Sequence, residues 1–133
     1  MYLGIDYGKK RIGLAIGTII PKGFGVLDAG MGNEKLANKI KEICDDNEVD
    51  TIIVGTPVRS GGEAGTIAGE IDGFVKAIEN KTGLKVVLES EAYTSSEAEK
   101  ILREGNVKFS REGGEIDEMA AVLILEQYIG SHH

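Results

Sequence analysis

The chain has 133 residues, the size of one domain, and it contains no apolar run of 18 residues that would predict a membrane span. Its 15 basic and 22 acidic residues give a net charge of −7, which argues against a broad basic surface for nucleic acid but leaves a small local site open. A single cysteine excludes an intrachain disulfide and a thiolate metal cluster, and without a signal-peptide pattern we expect a cytoplasmic protein.

The first thirty residues predict a meander of three strands. Short apolar runs at 2–6 and 11–16 flank a tight turn, Tyr7-Gly8-Lys9-Lys10, and residues 24–27 follow as the third strand. After residue 32 the spacing of apolar residues changes from the period of a strand to that of a helix.

Helices and strands alternate in the rest of the chain. Helical spacing and buried apolar runs predict most of these elements, and Thr94-Ser95-Ser96-Glu97 has the form of a capping box. Cys44 lies on an apolar helix face, so we expect a buried packing residue rather than a nucleophile. The predicted elements are helices at 33–46, at 67–78, from 94 and at 117–128, strands at 51–55 and 86–88, and glycine-rich loops at 56–66 and 103–115.

This order of elements predicts an α/β fold. A three-strand meander followed by βαβ crossovers implies a mixed five-stranded sheet flanked by helices. We expect a single domain over residues 1–129. Residues 130–133, Gly-Ser-His-His, are interpreted as the remnant of an expression tag.

Three acids stand at the ends of the predicted elements. Asp6 ends the first strand, Glu91 follows the last strand, and Asp117 opens the last helix. Ligands of βαβ sheets collect outside the carboxyl ends of the parallel strands, so we expect these acids to converge. Three converging carboxylates repel one another unless a cation neutralises them. Mg²⁺ or Mn²⁺ suits that role, and two such ions can support hydrolysis of a phosphodiester bond.

Each acid also has a purely structural interpretation. Asp6 could close the hairpin turn, and Asp117 could be the N-cap of its helix. Glu89 lies two residues before Glu91 and shares its strand face, so either glutamate could be the second ligand.

Four basic residues are candidates for binding substrate phosphate. Lys9, Lys10 and Arg11 follow Asp6 directly, and Arg59 lies in the first glycine-rich loop. A solvated turn and a slack connecting loop are the alternatives at these two places.

The stretch from Asp6 to Gly13 has the form D-x-G-x-x-x-x-G. This form resembles the first phosphate loop of the sugar-kinase, actin and heat-shock ATPase superfamily. Those proteins bind nucleotide between two lobes, and this chain has room for one. A nucleotide-binding lobe is therefore the weaker hypothesis.

Three longer segments carry a more specific resemblance. They read LGIDYGKKRIGLA at 3–15, IVGTP at 53–57 and IDEMAAVLIL at 116–125. These segments resemble the YqgF/RuvX family, whose members are described as Holliday junction resolvases and as pre-16S rRNA nucleases. The resemblance covers residues 2–129 and implies an RNase H-like fold. It also implies that Asp6, Glu91 and Asp117 are the catalytic acids and hold Mg²⁺ or Mn²⁺.

One departure from the family pattern affects the predicted site. The family reads D-E-R-x-T-T after its last strand, whereas residues 90–95 here read S-E-A-Y-T-S. Glu91 is kept, but Ser90 and Ala92 replace the aspartate and the arginine. If that arginine holds phosphate or orients the glutamate, we expect weak activity or an altered substrate. Glu89 is a candidate to replace the lost acid.

The leading hypothesis is a metal-dependent nuclease that acts on structured nucleic acid, with 5′-end processing of pre-16S rRNA preferred. A Holliday junction resolvase is the first alternative, and because it cuts two strands with symmetry it would usually be a homodimer rather than a monomer. A catalytically weak nucleic-acid-binding module is the second alternative. No membrane partner is expected.

Overall fold

The structure is a computed structural model that describes residues 1–57, 64–91, 100–101, 103–105 and 114–131, with the backbone alone at 57, 64–68, 90 and 91. The order of elements in this part of the chain confirms the predicted alternation. The elements are β1 (Tyr2–Asp6), β2 (Arg11–Gly17), β3 (Lys22–Asp28), a 3₁₀ turn (Ala29–Met31), α1 (Asn33–Asn47), β4 (Thr51–Pro57), α2 (Ala64–Thr82), β5 (Lys85–Glu91) and α3 (Glu115–Ser131).

The five strands form one mixed sheet in the order β3-β2-β1-β4-β5. The β1–β2 and β2–β3 pairs are antiparallel, and the β1–β4 and β4–β5 pairs are parallel. Helix α1 connects β3 to β4, and α2 connects β4 to β5. The predicted meander followed by crossovers is therefore confirmed.

The two faces of the sheet carry different side chains, because successive residues of a strand point to opposite sides. The helix-pair face, which we define as the face under α1 and α2, carries the large apolar residues of the main core. The α3 face, on the other side, has glycine or alanine at several central positions beside the larger Ile53. The helix-pair face includes Leu3, Ile5, Ile12, Leu14, Ile52 and Val54, and the α3 face includes Gly4, Gly13, Ala15 and Gly55.

Helix α3 lies directly on the backbone of β1 and β2. A Cβ atom at Gly4 would stand 3.0 Å from the Cβ of Leu125 and 3.1 Å from the carbonyl oxygen of Ala121. At the far end of the helix, Tyr128 packs edge-on against Tyr2 with 5.5 Å between ring centroids. The small residues of the α3 face therefore set how closely the helix can approach the sheet.

Strand β4 and helix α2 are longer than the sequence predicts. The loop predicted at 56–66 is too long at both ends, because pairing of Thr56 with Ser90 and of Pro57 with Glu91 prolongs β4, and α2 begins at Ala64. The helix predicted from residue 94 lies outside the described residues up to 99, and residues 100–101 and 103–104 are helical. Of the loop predicted at 103–115, residues 106–113 also lie outside them, while Glu115 belongs to α3.

Helix α3 continues through Gly130 and Ser131, and the interpretation of residues 130–133 as a tag remnant stays a prediction. Within the part of the chain that the structure describes, no helix is both long enough and apolar enough to cross a membrane.

Candidate active site

The carboxyl ends of β1, β4 and β5 meet at one edge of the sheet, as their parallel pairing requires. Asp6, the last residue of β1, is paired with Gly13 on one side and with Gly55 on the other. Gly55 is paired in turn with Glu89. One row across the sheet therefore runs from Gly13 through Asp6 and Gly55 to Glu89.

Asp117 reaches this edge because Gly13 has no side chain. A Cβ atom at Gly13 would stand 1.9 Å from the carbonyl oxygen of Asp117 and 2.9 Å from the backbone nitrogen of Glu118. The first turn of α3 thus rests on the residue that is paired with Asp6. Paired Cα atoms in antiparallel strands are about 4.5–5.5 Å apart, so the backbone of Asp117 lies near that of Asp6 at this edge of the sheet.

The N-cap interpretation of Asp117 is wrong. Helix α3 begins at Glu115, and its first helical hydrogen bond runs from the Glu118 N–H to the carbonyl oxygen of Gly114, at 2.9 Å. Asp117 is the third residue of the helix. Its Oδ2 atom accepts a hydrogen bond from the Nε of Arg11 at 2.9 Å, and this ion pair is partly buried, with 31% of the Arg11 side chain and 21% of the Asp117 side chain exposed.

The basic residues beside Asp6 have different surroundings. Lys9 and Lys10 are exposed on the turn between β1 and β2, and the carbonyl oxygen of Lys10 accepts a hydrogen bond from the Ala29 N–H at 3.0 Å. Arg11 is half-buried and reaches α3. Arg59 lies outside the described residues, and the predicted phosphate contacts of all four residues stay predictions.

Glu89 and Glu91 lie two residues apart on β5 and therefore belong to the same face of the strand. The Oε1 atom of Glu89 accepts a hydrogen bond from the Nε2 of Gln127 on α3, at 2.9 Å. Glu91, the last residue of β5, is paired with Pro57, and its side chain lies outside the described part of the chain. Because it stands two residues beyond Glu89, Glu91 has the parity of the α3 face and stays the predicted third acid.

The donor chemistry at this edge suits a hard divalent cation. Asp6 and Asp117 supply carboxylate oxygens, which Mg²⁺ and Mn²⁺ prefer as ligands. Among the side chains that the structure describes, no group of three His, Cys, Asp or Glu residues could by itself hold a metal ion. The roles of Asp6, Glu91 and Asp117 as metal ligands stay predictions.

Two residues that shape this edge, Gly13 and Gln127, were not predicted as functional from the sequence. Gly13 appeared in the sequence as the last position of the D-x-G-x-x-x-x-G motif and within the segment at 3–15, and neither pattern indicates contact with a helix. Gln127 lies within an apolar helix and carried no signal for its bond to Glu89, 38 residues away. Both roles depend on the packing of α3 against the sheet.

The prediction for Cys44 is confirmed. Its side chain is 2% exposed within the main core, and burial, with a smaller effect of the Asp45 carboxylate, raises the pKa of its thiol to about 11. A thiol with so high a pKa is a packing residue and a poor nucleophile.

Two solved structures share this architecture. Thermus thermophilus RuvC, in complex with Holliday junction substrate, aligns with a TM-score of 0.62 and 15% identity, covering 98% of this chain and 96% of that one. The Fowlpox virus resolvase, in complex with Holliday junction DNA, aligns with a TM-score of 0.60 and 12% identity, covering 98% and 97%. At such low identity these likenesses concern the fold alone, and they confirm the RNase H-like architecture.

Sequence relatives cover nearly the whole chain. A protein of Mycoplasmopsis synoviae is 33% identical over 130 residues (96% of this chain, 95% of that protein), and one of Dictyoglomus thermophilum is 33% identical over 132 residues (97% and 94%). Both bear the name "Putative pre-16S rRNA nuclease". The sequence model of the RuvX family, described as Holliday junction resolvase, matches residues 1–131. The chain therefore belongs to the RuvX family.

Proposed function

We propose that the protein is a divalent-cation-dependent nuclease that hydrolyses phosphodiester bonds in structured nucleic acid, with the 5′ end of pre-16S rRNA as its substrate. The observation that supports this proposal is the contact between Gly13, the strand residue paired with Asp6, and the first turn of α3, which carries Asp117. The names of the sequence relatives support the substrate. An rRNA-processing role also agrees with the cytoplasmic location expected from the sequence.

In this proposal each acid has a defined role. Asp6 and Asp117 hold Mg²⁺ or Mn²⁺, and Glu91 completes the site from the end of β5. A cation held by these residues would supply activation of a water molecule and stabilisation of the leaving oxygen. Gly13 fixes the distance between the two aspartates, because it lets α3 touch the sheet backbone.

The substrate backbone is held by basic residues next to the acids. Lys9 and Lys10 are exposed on the turn that follows Asp6, where they can contact phosphate without reading sequence. Arg59 joins them from the loop after β4. These local charges give the acidic protein, with its net charge of −7, a place where a polyanion can bind.

Cleavage of a four-way DNA junction is the alternative that the family description favours. A junction enzyme has to cut two strands with symmetry, so it would act as a homodimer, whereas cleavage at one rRNA end needs only a monomer. Sedimentation in the presence of junction DNA separates these two cases. A third possibility, binding without turnover, is motivated by Ser90 and Ala92.

The test is a cleavage assay with Mg²⁺ and with Mn²⁺ on three substrates: a pre-16S rRNA 5′ leader, an unstructured RNA of the same length and a four-way DNA junction. Asp6→Asn should lose activity by about 100-fold or more, since even outer-shell partners of metal ligands are worth about 10–100-fold. Asp45→Asn is the matched control, because it removes an exposed carboxylate on α1.

The results divide the hypotheses. Cation-dependent cleavage of the leader that is lost in Asp6→Asn supports rRNA processing, and preferred cleavage of the junction supports resolution. Substrate binding without cleavage in saturating Mn²⁺ supports the catalytically weak nucleic-acid-binding module. Cleavage that persists in chelator would contradict the proposal altogether.

A further inference from the structure

The position of Arg11 in the sequence suggests an exposed residue that binds phosphate, but the structure gives it a carboxylate partner. It follows two exposed lysines on the turn after Asp6, yet its guanidinium contacts Asp117, a residue 106 positions away. We infer that Arg11 is a positioning residue: its guanidinium orients the Asp117 carboxylate, and binding of a cation by that carboxylate competes with the ion pair. This inference rests on the proposed function.

The geometry makes Arg11 a stand-in for the cation. Arg11 is the first residue of β2 and lies two positions before Gly13, so both residues belong to the α3 face. Its Nε donates to Oδ2 of Asp117 at 2.9 Å. Only 21% of the Asp117 side chain is exposed, and a carboxylate that has lost much of its water needs a compensating positive charge. In this structure the Arg11 guanidinium supplies that charge.

The Arg11 guanidinium and a divalent cation weaken each other's interaction with the Asp117 carboxylate. Mg²⁺ binds oxygen at about 2.1 Å, and two positive centres a few ångströms apart repel each other strongly at a partly buried site. Cation uptake at Asp117 therefore has to weaken the ion pair with Arg11. The pair lowers the affinity for the cation by at most the factor that the pair itself is worth.

The displaced side chain remains close to the substrate. Arg11 follows Lys10 on the chain, so a guanidinium that turns away from Asp117 extends the exposed basic turn of Lys9 and Lys10. Arginine binds phosphate in a two-pronged geometry that lysine lacks. The cation thus strengthens substrate binding in two ways, through its own charge and through the release of Arg11, and the expected order of binding is cation first.

The first part of the test needs no metal. The free energy of unfolding is measured in chelator for the wild type, Arg11→Gln, Asp117→Asn and the double variant. A favourable coupling between the two single substitutions is expected if the ion pair exists in solution. Lys10→Gln is the matched control, because it removes the same charge from the neighbouring, exposed residue.

The second part is a calorimetric titration with Mn²⁺ alone. Arg11→Gln should bind Mn²⁺ about threefold to tenfold more tightly than the wild type, the range expected for loss of a competing, partly buried pair. Lys10→Gln should change the affinity by less than about twofold, because an exposed charge is screened. Arg11→Lys keeps the charge without the planar fork and should fall between these values; it also serves if Arg11→Gln does not fold.

Each outcome decides something. Coupling in chelator together with tighter Mn²⁺ binding by Arg11→Gln supports the inference. Wild-type protein that binds Mn²⁺ and cleaves RNA, with Arg11→Gln binding Mn²⁺ equally or more weakly, overturns the inference and leaves the proposed function standing. If neither the wild type nor Arg11→Gln binds Mn²⁺ and no substrate is cut, the proposed function fails and the inference fails with it.

Discussion

The two faces of the sheet are built from the same strands and serve different ends. The helix-pair face carries branched apolar residues such as Ile5 and Leu14, which fill the space under α1 and α2. The α3 face replaces them with Gly4 and Gly13, and the helix comes into contact with the strand backbone. Large side chains therefore fill the space on the helix-pair face, whereas the absence of side chains at Gly4 and Gly13 on the α3 face lets the helix approach the strands.

This difference shows how a stable sheet can also position the residues of a candidate site. Large side chains on the helix-pair face remove apolar area from water, which stabilises the fold whatever the chemistry at its edge. Small residues on the α3 face give up part of that stabilisation. In exchange they fix the first turn of α3, and with it Asp117, next to the strand residue that pairs with Asp6.

The largest effect is expected from a methyl group placed between the sheet and the helix. In Gly13→Ala the new Cβ would stand 1.9 Å from the carbonyl oxygen of Asp117, and backbone atoms there cannot move aside without moving α3. We expect a loss of about 3 kcal/mol of stability, at the upper end for overpacked sites, and loss of cleavage because Asp117 is displaced. Urea denaturation and the cleavage assay measure the two effects.

The matched control is the same substitution where there is room. Gly69 lies in α2, and a Cβ atom there would meet nothing within 4 Å. Because alanine favours a helix over glycine by up to about 1 kcal/mol, Gly69→Ala should stabilise the protein slightly and leave cleavage unchanged. A Gly13→Ala variant as stable and active as Gly69→Ala would show that the close approach of α3 has no functional importance.

The role of Gly13 also marks the limit of what the sequence could predict. Apolar runs identified the strands and helical spacing identified the long helices, because both patterns follow from burial of each element in the core. They did not identify the seat of α3 or the partner of Arg11, because both depend on two segments more than 100 residues apart in the chain. Strand β4 was predicted too short for a similar reason, since its last residues are strand only through their pairing with β5.

The second prediction compares the two glutamates at the β5 edge of the α3 face. Glu91→Gln should lower cleavage by about 100-fold or more, since even outer-shell partners of metal ligands are worth about 10–100-fold, and should weaken Mn²⁺ binding. Glu89 is already bonded by Gln127, so Glu89→Gln should lower cleavage by less than about tenfold and stability by about 0.5–1.5 kcal/mol. If Mn²⁺ affinity is unchanged in Glu89→Gln, that residue does not replace the acid missing at Ser90.

The third prediction concerns the helix-pair face alone. Ile40 of α1 is fully buried there, and Ile40→Val removes one methylene group from the core, at a cost of about 0.5–1.5 kcal/mol. Cleavage per folded molecule should stay at the wild-type value. The measurement is a urea melt paired with an assay well below the midpoint. A fall in activity larger than the unfolded fraction explains would mean that the two faces are coupled.

The smallest effect is expected from an ion pair that lies away from the α3 face. Lys41 Nζ and Asp45 Oδ2 of α1 are 2.8 Å apart, almost the same distance as in the Arg11–Asp117 pair, but their side chains are 43% and 64% exposed. Water and salt screen such a pair, so Lys41→Ala should cost only about 0.3–0.5 kcal/mol and should leave Mn²⁺ affinity and cleavage unchanged. Chemical denaturation at low and high salt measures this small difference. The two ion pairs have nearly equal lengths, but their loss is expected to affect Mn²⁺ binding differently, because the Arg11–Asp117 pair is the more buried of the two and includes a carboxylate that the proposed reaction uses. Equal effects of Lys41→Ala and Arg11→Gln on Mn²⁺ binding would contradict that explanation.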